Sequence, residues 1–180
     1  YVQILSKRFD AEGISCQVRN CGTDGFTVNR LLQRIQGSEI LAGNIITILI
    51  GINDIGMIAD TYRTPDQQHK MLFSFREHYT NLLTILTKST SAIIIMEPFL
   101  FPWPSFYEGW LPFLSNMQKI IRELAVDFRL PYLSLHHELN EAARCYGYSA
   151  ITTDGIHLTR QGQKMIADKL YGCIMQNNYV

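Results

Sequence analysis

The chain has 180 residues, of which 47% are hydrophobic and 18% charged, enough for one globular domain with a core of its own. Lys plus Arg and Asp plus Glu stand at 16 each, so no net field favours nucleic acid or an anionic membrane surface. The longest apolar run, Ile45 to Ile52, falls far short of the ~20 residues a membrane-spanning helix requires.

Helical and strand periods alternate along the chain. Val2, Leu5 and Phe9 carry a helical spacing that Gly13 stops. Ile14, Cys16 and Val18 alternate inward and predict a strand over 14–19. Val28, Leu31, Leu32 and Ile35 mark a helix after the Gly22 to Gly25 turn. Ile45 to Ile50 is a continuous β-branched run, as in a parallel strand buried on both faces. From Pro65 to Lys88 one apolar stripe predicts a long helix. Ala92 to Met96 is a second buried strand, and Phe113 to Phe128 a helix that ends before Pro131. A short strand over 132–135, a helix over 138–145 and a last helix over 160–176 complete the series. This order predicts a single α/β domain over 1–180 with a mostly parallel sheet. Four cysteines, Cys16, Cys21, Cys145 and Cys173, lack metal-ligand spacing and read as reduced, mostly buried thiols, which points to the cytoplasm. A leader lost from the N-terminus would leave secretion open.

Three loops that follow or precede these elements carry chemistry. Asp154-Gly155-Ile156-His157 sets a carboxylate three residues before an imidazole, close enough to orient the ring and leave Nε2 free for a proton. The same residues also suit a plain Asp-Gly turn before a helix. Gly51-Ile52-Asn53-Asp54 follows a buried strand, where Asn53 is either a turn residue or an oxyanion donor. In Asn20 to Thr27, Gly25 either permits an unusual backbone angle or presents its N–H to an oxyanion.

In this order the three loops resemble blocks II, III and V of the SGNH or GDSL hydrolases, and the resemblance spans essentially the whole chain. It implies a three-layer α/β/α flavodoxin-like sandwich. It also implies Gly25 and Asn53 as oxyanion donors, Asp154 as orienting acid and His157 as general base, with no metal or cofactor. Block I, the Gly-Asp-Ser that bears the nucleophile, is absent. Ser6, Ser38, Ser89, Ser91 and Ser105 sit away from the expected active edge, and no Gly-x-Ser-x-Gly elbow occurs. The resemblance therefore implies a strand ending in Gly-Asp-Ser upstream of Tyr1, which makes 1–180 an N-terminally incomplete domain.

The expected activity is hydrolysis of a carboxylic ester, including acetyl esters, on a small molecule or glycan. The rival is a non-catalytic binding module of the same fold. Asp54, Met57, Phe99 and Trp103 are the candidate pocket residues. The aromatic loop that holds Phe99 and Trp103 either walls an acyl, aryl or sugar site or packs under itself. His136 and His137 read as loop residues without a third metal ligand at usable spacing.

Overall fold

The computed structural model describes residues 1–37, 45–59, 62–89 and 92–180. Among these residues three parallel strands lie in the order β1 (Ile45–Ile48), β2 (Ala92–Met96) and β3 (Tyr132–Leu133). Ile45 stands opposite Ala92, and Ile95 opposite Tyr132. All five residues of β2 are buried, which is why this strand reads as an unbroken apolar run.

Side chains alternate across the sheet and feed two cores. Ile48, Ile93 and Ile95 point into the first, covered by α2 (Val28–Gln36), α3 (Ile52–Ala59), α4 (Pro65–Leu86) and α5 (Leu111–Asp127). Ile94 and Met96 point into the second, covered by α1 (Val2–Ala11), α6 (His136–Tyr146), α7 (Tyr148–Ile151) and α8 (Arg160–Gln176). The result is the α/β/α sandwich expected. Each fully buried Ile contributes roughly 1.5–3 kcal/mol over exposure, so β2 anchors both layers. Local signals set the helix starts: Thr64 accepts from the Gln67 amide while Gln67 reaches back to the Thr64 amide, with Pro65 at the first helical position.

Several boundaries differ from the sequence reading. Residues 14–19 form no ladder, although Ile14, Cys16 and Val18 are half-buried against the cluster that also holds Ile45 and Leu49. Alternation selects which side chains turn inward, but a strand also needs a neighbouring backbone, and none of the described residues supplies one. For the same reason β1 has one edge without a partner among the described residues. The strands predicted over 45–50 and 132–135 stop at Ile48 and Leu133. Asn53 and Asp54 lie in the first turn of α3 rather than in a turn of their own, because Ile55 and Ile58 bury one helical face. The cysteines are more open than expected: Cys21 and Cys145 are exposed and Cys16 and Cys173 half-buried, all four as free thiols. Among the described residues no helix is long and apolar enough to cross a membrane.

One buried carboxylate holds the third strand and the helix after it. Glu97, 3% exposed, follows β2 directly. It accepts from Tyr132 Oη at 2.9 Å, Ser134 Oγ at 2.9 Å, and the amides of Leu135 at 2.7 Å and His136 at 2.8 Å. Burial opposes its charge, but the His136 and Leu135 amides and the two hydroxyls outweigh it and hold the carboxyl below the usual range. His136 and His137 accordingly open α6 rather than sit in a loop.

A carboxyl pKa depressed by folding stabilises the native state above its unfolded value, near 4.3, and loses that contribution as pH falls through the native value. Glu97→Gln should lower unfolding free energy by about 2–3 kcal/mol at neutral pH. The gap from wild type should narrow under acid conditions, as read by urea unfolding across pH.

Candidate active site

The glycine loop and the start of α3 are bonded to each other. The Asn53 side-chain amide donates to the Phe26 carbonyl at 2.9 Å. One of its two N–H groups is thus committed and the amide plane is fixed, leaving the second N–H for another acceptor. The next residue, Asp54, accepts from the Val28 amide with both oxygens, at 3.2 and 3.1 Å. Val28 opens α2, so Asp54 caps that helix while Thr27 accepts from the Arg30 amide. Gly25 has φ +73°, with nothing within 4 Å of where a Cβ would stand. The need for glycine there is conformational, not steric.

The second half of the site is the loop before α8. His157 Nδ1 lies 2.6 Å from Asp154 Oδ2, while Asp154 Oδ1 accepts from the amides of Ile156 at 3.0 Å and His157 at 2.8 Å. Partial burial opposes the Asp154 charge, but the His157 amide and ring and the Ile156 amide keep its carboxyl below the usual range. An ionised carboxylate only accepts, so Nδ1 carries a proton toward it, and in the neutral ring Nε2 is then the nitrogen with the lone pair. His157 itself is exposed.

Aromatic residues of the β2–α5 connection join the two halves. A Cβ on Gly56 of α3 would come within 2.8 Å of the Trp110 ring. Trp110 meets Tyr107 edge to face at 4.8 Å between centroids. Tyr107 in turn leaves no room for a Cβ on Gly155, whose φ is +102°. The Gly155 carbonyl also accepts from the Phe101 amide at 2.9 Å. The Asn53 helix and the His157 loop therefore abut one aromatic wall, at the edge where the parallel strands end.

The four candidate pocket residues part company. Asp54 and Met57 line a cleft of about 260 Å³ with Thr27, Asn29, Lys70 and His78. Asp54 faces that cleft with a carboxylate already engaged by Val28. Trp103 is 39% exposed and stacks on Tyr148 at 5.9 Å and 10° between planes. Phe99, in contrast, is only 7% exposed and packs edge to face on Phe101 in the second core. Packed in the cluster that holds Ile94, Met96 and Phe101, it is a core residue rather than a pocket wall. Ser6 lies on α1, Ser89 just after α4 and Ser105 at the start of a 3-10 turn (Ser105–Trp110), while Ser38 and Ser91 fall outside the described residues. Sequence reasoning missed the roles of Phe26 and Val28, which act through backbone atoms, and of Tyr107, Trp110 and Tyr148.

The sequence profile of the GDSL-like lipase/acylhydrolase family matches residues 1–165. Among solved structures, the chain is similar to an acetyl xylan esterase, AlAXEase, with 18% identity, a TM-score of 0.78, and 97% of this chain and 90% of that one covered. It is similar also to an acetylxylan esterase from Geobacillus stearothermophilus, with 19% identity, a TM-score of 0.77, and 94% and 78% covered. A third is an alpha/beta hydrolase enzyme from the metagenome of Lake Arreo, Spain, with 19% identity, a TM-score of 0.75, and 96% and 79% covered. At these identities the likeness is one of fold. No curated protein matches the chain.

Burial pushes the Asp54 carboxyl up to about 7, against the Val28 amide and its own backbone amide, which favour its charge. Folding then binds a proton between the unfolded value, near 3.9, and about 7, so Asp54 costs stability progressively as pH rises through that window. Asp54→Asn keeps an acceptor for Val28 and cannot ionise. Its stability relative to wild type should increase from acid to neutral pH, as read by chemical unfolding at a series of pH values.

Proposed function

Because this chain belongs to the GDSL-like lipase/acylhydrolase family, hydrolases that act on ester bonds, we propose that it transfers an acyl group to water through a serine–histidine–aspartate mechanism. In this reading His157 Nε2 takes the proton of a serine hydroxyl as that oxygen attacks the ester carbonyl. Asp154 holds the ring in the tautomer with Nδ1 protonated and stabilises the imidazolium that forms. The free N–H of the Asn53 amide and the Gly25 backbone N–H receive the developing oxyanion, each such donor worth about 3 kcal/mol in the transition state. His157 returns the proton to the leaving alcohol, and water repeats the sequence on the acyl-enzyme.

The observation that carries this reading is the 2.6 Å Asp154–His157 pair, fixed further by two backbone bonds to the same carboxylate. The serine comes, in this proposal, from a strand that lies along the open edge of β1 and ends in Gly-Asp-Ser. Support comes from that edge, which has no partner among the described residues, and from Ile14, Cys16 and Val18, which turn apolar side chains to the cluster flanking it. The substrate class we favour is a short-chain ester, acetyl above all, on a sugar. The exposed, stacked Trp103 suits the apolar face of a pyranose, and the names of two solved relatives, acetyl xylan esterases, agree with it.

A serine-directed fluorophosphonate probe on the full-length protein tests the chemistry. The wild type should be labelled on one serine and should hydrolyse acetyl esters. His157→Ala should lose labelling and at least ~10³-fold in kcat while keeping its fold. A well-folded wild type that takes no label would make the protein a binding module instead.

A further inference from the structure

The loop that presents His157 is closed by a side chain that takes no part in the chemistry above. Thr152 is fully buried, at 0% exposure, yet carries a hydroxyl. That hydroxyl donates to the His157 carbonyl at 2.7 Å and accepts from the Gly155 amide at 2.9 Å. One oxygen thus joins the middle of the Asp-Gly-Ile-His loop to its end. The Thr153 amide adds a second bond to the His157 carbonyl at 2.9 Å, and residues 152 and 158 form an antiparallel bridge.

Two fixed ends make this closure matter. On one side the Thr152 amide donates to the Tyr148 carbonyl at 2.8 Å, which ties it to α7. On the other, Gly155 is pinned between the Phe101 amide, the Trp103 carbonyl and the Tyr107 ring. The Asp154 carboxylate fixes the imidazole relative to its own loop, but nothing in that pair fixes the loop relative to the sheet. Thr152 supplies the missing constraint, because its hydroxyl makes the orientation of residues 155 and 157 depend on α7 and the β2 exit together. A buried hydroxyl that donates and accepts at once cannot be replaced by an isosteric methyl without leaving the Gly155 N–H unpaired.

We propose that Thr152 is a positioning residue for His157, one whose buried hydroxyl sets the direction of the imidazole toward the substrate. The proposal rests on His157 being the general base, so one arm of its test reads the ring without catalysis. Proton NMR of the full-length protein should show a low-field resonance from the Nδ1–H that bridges to Asp154. In Thr152→Val that resonance should be lost or broadened. Against acetyl esters kcat should fall about 10- to 100-fold, the cost of a small misplacement of a catalytic group, with KM within about threefold. Thr152→Ser, which keeps the hydroxyl, should restore both signals. Where the valine variant fails to fold, Thr152→Ala should show the same losses. An unchanged resonance and kcat in a folded Thr152→Val overturns the proposal, as does a serine variant as impaired as the valine one. A wild type that shows the resonance but hydrolyses no ester defeats the hydrolase reading alone, and the spectra of the variants still decide the role of Thr152.

Discussion

Three strands running parallel oblige the chain to leave the sheet three times at the same edge. That constraint follows from burial: β2 is apolar on both faces, so helices must cover both, and crossover helices return each strand in the same direction. The loop after β1 brings Gly51 and Asn53, and the loop after β2 brings the aromatic segment. Glu97 then bonds the end of β2 to the residues that follow β3. That common edge delivers Asn53 and the aromatic segment, and the Gly25 and His157 loops are tied to them through the Phe26 and Gly155 carbonyls.

Hydrogen bonds convert this rough gathering into a defined arrangement. Asn53 and Asp54 fasten the glycine loop through Phe26 and Val28. Asp154 fastens His157 within its own loop. Aromatic rings and two glycines bring the halves against one wall, since any side chain at Gly56 or Gly155 would displace Trp110 or Tyr107. The site is therefore preorganised by backbone acceptors and steric contact, with the carboxylates of Glu97 and Asp154 each holding a pair of amides and that of Asp54 holding the Val28 amide. Preorganised donors of this kind stabilise developing charge without reorganising during reaction.

Much of this was legible in the sequence because it is local. The β-branched runs at 45–50 and 92–96 and the stripe along α4 report nearest-neighbour physics, and each holds the element its pattern indicates, the first strand ending at Ile48. Asp154 and His157 were readable as a pair for the same reason, being three residues apart. What escaped was long-range. The segment 14–19 has strand alternation without a ladder, because pairing depends on a neighbour and not on the segment. Phe99 looks like a loop aromatic because the alternation of β2 slips by one residue after Met96, and only its packing on Phe101 shows that it enters the second core. Glu97 reads as an ordinary charge after a strand, and only the hydroxyls and amides of residues 132–136 show why it is buried. Helix α3 was hidden by Gly51 before it and Gly56 within it, although Ile52, Ile55 and Ile58 keep a helical period.

Ester hydrolysis as proposed requires Asn53, Gly25 and His157 to serve one reacting carbonyl. The most direct measurement is a crystal structure of the full-length protein carrying a phosphonate bound covalently to its serine. The phosphonyl oxygen should accept from the Asn53 side-chain amide and the Gly25 backbone amide, each at about 2.7–3.1 Å, with His157 Nε2 bonded to the serine oxygen or the leaving-group position. A phosphonyl oxygen turned to solvent, or one held by groups other than these, would contradict it.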